Sequence, residues 1–434
     1  SHAHLRHATL ARSLLVVDEV HASDAYMTVL LERLLKAHLN CGGHALLLSA
    51  TLGSSARSRY LALTPGSKSS RRGMMPFAQA CQVAYPAISD HQCIRAIAGT
   101  GSSKNVRWTA QDIIDSPEQI AQLAIQAAAQ GAKVLIVRNT VPAAVATLAA
   151  LEKLVPDPAW LFQVNGATTL HHSRFSRQDR PVMDQAIQAQ LGKGRPVGPL
   201  IVVGTQTLEQ SLDIDADFLI TDLCPMDVLL QRIGRLHRHT NQRPDSCQIA
   251  QAVVLTPLNH DLAPMLGRPQ HGLGRFRNGG GVYDDLRIVE ATRRLIAEKP
   301  EITIPNDNRY LVEAATHHGQ LEILQLKLGE DWALLAQKLE GDTSAEKAVG
   351  HLHALDVEEV FGETQFPEGV KVATRLGAQD RIVRFQNGPA GPFGLPLREL
   401  PIRHHLLPKD LPLDAEPTGV IQQNGGITFR LGEA

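Results

Sequence analysis

The stretch Leu14-Leu15-Val16-Val17-Asp18-Glu19-Val20-His21 decides the fold class: an unbroken apolar run that ends in two adjacent carboxylates. The run does not alternate polar with apolar, which is how a strand reads when both faces of its sheet are covered. Further runs read the same way: ALLL (Ala45 to Leu48), VLIV (Val134 to Val137), LIVV (Leu200 to Val203) and FLIT (Phe218 to Thr221). Between them lie amphipathic stretches. Met27, Leu30, Leu31, Leu34, Leu35 and Leu39 form one apolar stripe at helical spacing, and Val145, Leu148, Leu151 and Leu154 form another. Strands alternating with helices predict parallel α/β layers.

Outward from this pattern, a Gly-, Ser- and Arg-rich stretch, TPGSKSSRRGMM, marks a boundary within residues 60–110. After residue 260 the character changes to helical patterns over Tyr283 to Ala297 and near Leu321 to Leu339, and the Pro-rich end reads as a small domain of short strands. The 434 residues suit about two or three domains. Aromatics are 4% of the chain, so the cores are aliphatic. No apolar run reaches membrane-span length and no secretory signal is visible, so a cytoplasmic protein is expected. The net charge of -1 neither favours nor excludes nucleic acid, because a local basic groove suffices for binding. The cysteines, Cys41, Cys81, Cys93, Cys224 and Cys247, form no CxxC pair and read as reduced thiols.

Ligands of open α/β sheets sit at strand carboxyl ends. Asp18 is placed there to hold Mg²⁺ on nucleotide phosphates, and Glu19 to orient and deprotonate water. Taken alone, the tetrapeptide reads equally well as an acidic turn. Ser49-Ala50-Thr51 follows the second run, one strand–helix–strand unit later. Gln231-Arg232-Ile233-Gly234-Arg235-Leu236-His237-Arg238 is the strongest signal. Arg235 and Arg238 are three apart, so on a helix they share a face and could stabilise transferring phosphate as arginine fingers. Thr205 and Gln206 sit where a helix N-terminus could receive a nucleic-acid phosphate, and Asp213 could bond a ribose hydroxyl. Ser173 and Arg174 offer further backbone donors.

In this order, DEVH, SAT, TQ…EQSLDID and QRIGRLHRH resemble motifs II, III, V and VI of superfamily-two helicases. The wording is closer still to the CRISPR-associated helicase–nuclease of type I systems. His21, Ala22, Asp24, Tyr26 and Met27 match its His-Ala-x-Asp-x-Tyr-Met stretch, and Asn139, Thr140 and Val141 match its turn after a strand. Val282 to Asp284, Leu311 to Glu313 and Thr374 to Gly377 resemble that family's linker and C-terminal domain.

The resemblance implies tandem RecA-like domains, the first incomplete. It divides the chain into 1–105, the end of the first RecA-like domain; 106–260, the second; 261–345, a helical linker; and 346–434, a C-terminal accessory domain. It implies ATP and Mg²⁺ as cofactors, translocation on single-stranded DNA, recruitment by a Cascade-type surveillance complex and a metal-dependent HD nuclease. Asp18 and Glu19 then serve metal and water, while His21, Ser49 and Thr51 couple hydrolysis to movement. Gln231, Arg235 and Arg238 complete the ATP site, and Thr140 joins the nucleic-acid contacts.

The chain departs from the pattern in two ways. It contains no GxxxxGK[ST] phosphate loop, so little turnover is expected from it alone, and it reads as a piece of a longer protein. Its only His-Asp dipeptide, His260-Asp261, has no companion ligands nearby, which places the nuclease upstream or on another chain. A non-catalytic remnant that binds DNA or Cascade, and a general helicase acting on RNA, are the alternatives.

Overall fold

The computed structural model describes residues 2–20, 24–65, 75–97, 103–209, 212–276, 281–354, 381–385, 388–402, 416–423 and 426–432. His21, Ala22, Gln210, Ser211 and the stretch Thr374 to Gly377 lie outside the described residues. The chain divides into two compact units, Ser1–Ala110 with Leu223–Gln231 and His260–Val372, and Gln111–Asp222 with Arg232–Asn259 and Ala373–Ala434.

After a helix over His2–Leu10, the first unit forms a β-α-β crossover: β1 (Leu14–Val17), α1 (Ala25–Asn40) and β2 (His44–Leu47), the strands paired in parallel from Leu14↔His44 to Val17↔Leu47. Asp24 starts α1 by accepting the Met27 amide at 2.7 Å, and Gly42, at φ 80°, turns the chain back after it. Helix α2 (Ser54–Leu61) follows. Val20, Leu35 and Tyr60 form a small core against Leu15, Val17, Ala45 and Leu47. The opposite face of this pair is open: Leu14 is 59% exposed, Val16 51% and Leu46 42%. Among the described residues, the expectation of a doubly covered sheet is met on one face of this pair only.

After β3 (Lys104–Gln111), the second unit meets that expectation in full. Helix α3 (Pro117–Ala129), β4 (Lys133–Val137), α4 (Val141–Leu154), α5 (Asp179–Leu191), β5 (Leu200–Gly204) and β6 (Phe218–Asp222) follow in turn. Helix α6 (Met226–Ile233) leads to β7 (Ala250–Leu255). Strands β7, β6, β4 and β5 lie parallel in that order. Ile136, Ile201 and Ile220 pack under Ile120, Ala124 and Leu151 of the covering helices. The alternate residues Leu135, Val202 and Leu219 are buried too, so both faces are covered.

In the first unit's later segment, α7 (Leu286–Glu298) starts where Asp285 accepts the Arg287 amide. Next come β8 (Glu301–Ile304), antiparallel to β3, and α8 (Asn308–Thr316). The helical pattern near Leu321 to Leu339 is two helices, α9 (His318–Leu328) and α10 (Glu330–His353). They are parted at Gly329, whose φ of 99° a helix does not accommodate. Helix α10 lies close on α1, where Gly350 leaves room against Val29 and Tyr26, and Tyr26 Oη meets His353 Nδ1 at 3.2 Å. Two antiparallel hairpins close the chain, β9 (Arg381–Arg384) with β10 (Glu399–Ile402) and β11 (Glu416–Gln423) with β12 (Gly426–Gly432). No helix among the described residues is long and apolar enough to cross a membrane.

Candidate functional site

In the first unit, Asp18 and Glu19 emerge directly from the carboxyl end of β1 and are exposed. The Glu19 amide donates to Asp18 Oδ1 at 2.9 Å, and Glu19 sits at φ 52°, a left-handed conformation unusual for a glutamate. Such strained backbone clusters at functional positions. The Leu48 amide bonds Val17 O, and the Val20 amide bonds Leu48 O, so the acidic turn and the Ser49-Ala50-Thr51 turn are stitched together. Ser49 Oγ accepts the Thr51 amide at 3.3 Å. Thr51 is 6% exposed, and its buried hydroxyl has no hydrogen-bond partner among the described residues.

No group of three or more His, Cys, Asp or Glu capable of holding a metal occurs among the described residues. Exposed carboxylates at Asp18 and Glu19 still suit Mg²⁺, which binds through one or two carboxylates and takes its remaining ligands from water and substrate phosphate.

The arginine motif, in the second unit from Arg232 onward and with Gln231 in the first, differs from its sequence reading. Helix α6 stops at Ile233, with Gln231 in its last turn, and Arg235 and Arg238 lie beyond it rather than along one helical face. Gly234 follows the helix, and His237 takes a left-handed φ of 49°. Buried Leu236 bridges Ala216, drawing the chain alongside the entry to β6. Arg235 donates to Glu209 O through Nε at 3.2 Å and Nη2 at 2.5 Å. Arg238 pairs with Asp213, Nε to Oδ1 at 2.7 Å. Asp213 loses some solvation, but hydrogen bonds and charge from His239 and Arg238 outweigh that loss and hold its carboxyl below the usual range.

A buried polar network joins Arg138 and Asp222, to which the sequence reading gave no role, with Arg232, Asn139, Glu209 and Thr221. Arg232 is fully buried and donates to Glu209 Oε1 at 2.7 Å, Thr221 Oγ1 at 2.7 Å and Asn139 Oδ1 at 2.9 Å. Arg138 binds Asp222 Oδ1 at 2.7 Å, and the Asn139 amide binds Asp222 Oδ2 at 2.8 Å. The signal was present: Arg138-Asn139 follows VLIV and Asp222 follows FLIT, the same strand-end position that drew attention to Asp18. Below them, Arg195 and Arg243 bind Asp215 and Asp217 in a second buried cluster. Asp215 Oδ1 accepts the Arg238 amide at 2.7 Å and so helps set the arginine loop.

The predicted nucleic-acid residues converge at strand carboxyl ends. Gln206 Nε2 donates to Asn139 O at 2.7 Å, joining the turn after β5 to the turn after β4. Buried His171 bonds Thr207 Oγ1 and Asp184 Oδ1, each at 2.7 Å, and so ties the segment carrying exposed Ser173 and Arg174 to the same turn. Thr205 is buried and its amide bonds His171 O, while Gln206–Leu208 is only a short 3₁₀ turn. Thr140 caps α4 by accepting the Ala143 amide. Burial, then the Arg174 charge, pushes His172 down to about 4. Burial, then Arg243, does the same to His237.

Parallel α/β layers with candidate site residues gathered at strand carboxyl ends define an α/β protein of the kind that binds its ligands at that edge of the sheet. Residues 130–241 match the family model "CRISPR-associated nuclease/helicase Cas3, C-terminal". The chain is 32% identical over 322 residues to the CRISPR-associated endonuclease/helicase Cas3 of Escherichia coli K12, covering 68% of this chain and 32% of that relative. The structure of T. fusca Cas3 with AMPPNP shares the fold, with a TM-score of 0.68 at 24% identity over 92% of this chain and 48% of that one. A chain in a structure titled "CRISPR RNA-guided surveillance complex, pre-nicking" does so too, with a TM-score of 0.64 at 24% identity over 92% and 50%. The chain belongs to the Cas3 family of CRISPR-associated helicases.

Proposed function

We propose that this chain carries the ATP-driven motor of a type I CRISPR interference helicase that translocates on single-stranded DNA in the prokaryotic cytoplasm. Asp18 serves Mg²⁺ and Glu19 the attacking water; Gln231, Arg235 and Arg238 complete the ATP site; Asp213 meets the ribose. His21, Ser49 and Thr51 couple turnover to movement. Thr140, Ser173, Arg174 and Gln206 face the DNA, and Thr205, buried, supports them from within the turn that carries Gln206. The four-segment division at 105, 260 and 345 belongs to the same proposal. So does recruitment by a Cascade-type complex, with the nuclease on a part of the relatives' length that this chain does not span.

The reading is carried by one observation: Asp18, Ser49 and Thr205 each fall within two residues of the carboxyl end of a parallel strand, where α/β proteins bind ligands. Beside Thr205, Gln206 is held by the carbonyl of buried Asn139, a preorganisation that suits a phosphate site.

The test is ATP hydrolysis by the full-length protein containing this chain, with and without single-stranded DNA, beside Glu19→Gln. Stimulation by DNA that the substitution abolishes supports the motor. A folded protein that binds DNA without turnover refutes it and leaves a non-catalytic binding module. Stimulation by RNA but not DNA favours a general helicase.

A further inference from the structure

The loop that leaves the Ser49-Ala50-Thr51 turn is gripped by a helix far away in sequence. Glu313 of α8 is 1% exposed. Its Oε1 accepts the Ser54 amide at 2.7 Å and its Oε2 accepts Ser54 Oγ at 2.8 Å. One turn earlier, Arg309 Nη1 donates to Leu52 O at 2.9 Å and lies 3.6 Å from Glu313 Oε1. Gly53 at the N-cap of α2 has no side chain to cap it, so Glu313 satisfies that helix start from outside and adds a favourable charge. Residues 52 and 54 are thus pinned to α8, while the buried hydroxyl of Thr51, immediately before them, has no hydrogen-bond partner among the described residues. That hydroxyl borders a cavity of about 250 Å³ shared with Ser54, Glu313, Thr316 and His317.

A pinned loop beside a side chain with room to change partners is the geometry of a joint. We propose that Glu313 and Arg309 are positioning residues through which a change at the Ser-Ala-Thr turn moves α8, so that the coupling of ATP hydrolysis to DNA movement passes through this clamp. The proposal rests on the motor reading. It differs from a capping role alone because it predicts loss of coupling rather than loss of turnover.

The test uses the full-length protein and reads two quantities: the DNA-stimulated ATPase rate and the nucleotides moved per ATP. Glu313→Ala removes both hydrogen bonds to Ser54 and is expected to keep most of the ATPase while lowering nucleotides moved per ATP by about tenfold or more. Glu313→Gln retains an acceptor and is expected to recover much of the loss. Ser54→Ala, which removes only the Oε2 bond, should give a smaller effect of the same kind and serves where Glu313→Ala does not fold. If ATPase and movement fall together in every variant, or nucleotides per ATP stay unchanged, the proposal is overturned while the motor stands. A wild-type protein without DNA-stimulated turnover overturns the motor reading and the clamp with it.

Discussion

Asp222→Ala tests the buried network of the second unit most directly. Asp222 has no exposed surface, and its carboxylate holds Arg138 Nε at 2.7 Å and the Asn139 amide at 2.8 Å. Truncation leaves the Arg138 guanidinium, 1% exposed, with its neutral partners Thr147 Oγ1 and Ile114 O. Stranding one member of a buried pair costs roughly 3–5 kcal/mol. For a unit of roughly 150–250 residues, this lowers the melting temperature by roughly 6–20 °C. The double substitution Arg138→Met with Asp222→Leu removes both charges and fills their space. Thr147 Oγ1 keeps the Ala143 carbonyl at 2.9 Å. The double variant should therefore recover the part of the loss that comes from the stranded charge, because apolar replacement of a buried pair is often close to neutral, and keep a cost of roughly 1–3 kcal/mol for the Asn139 amide that loses its acceptor. Native-state hydrogen exchange on peptides from β4 and β6 reads this unit's stability without requiring the whole protein to unfold in two states. A cost below about 1 kcal/mol for Asp222→Ala, or a double variant as unstable as the summed singles, would refute the reasoning.

His237 and His172 are both held near 4, against 6.5 for the free side chain, so between those values the unfolded chain binds more protons than the folded one. Stability of the second unit should therefore be fully present above pH 6.5 and fall as pH drops towards 4. Replacing both histidines with asparagine should flatten that slope, and an unchanged slope would show that other groups set it. Gly204→Ala would place its Cβ 2.5 Å from Leu208 Cδ1 and 2.6 Å from His171 O. The clash should cost roughly 1–3 kcal/mol and loosen the turn carrying Thr205. Equilibrium unfolding together with a single-stranded DNA titration would detect both effects, and a variant unchanged in both would show that the turn yields freely.

The sequence by itself determined β1, β2, β4, β5 and β6, the order of the motifs and the family, because these are written locally. An apolar run of four or five residues and the polar residues at its carboxyl end are neighbours along the chain. Residue type and spacing therefore located β1, β4, β5 and β6 and the side chains of the candidate sites. Only the tertiary structure decided how those side chains are held. Arg232 and Asn139 are 93 residues apart and Ser54 and Glu313 are 259 apart, distances over which no periodicity carries information. It also decided that Arg235 and Arg238 leave the helix, since the turn depends on Leu236 finding a buried place beside Ala216. The same local signal described β1 and β5 alike, yet one strand has an open face and the other is fully buried. Apolar composition states what a strand can bury; whether anything packs against it depends on elements elsewhere in the chain.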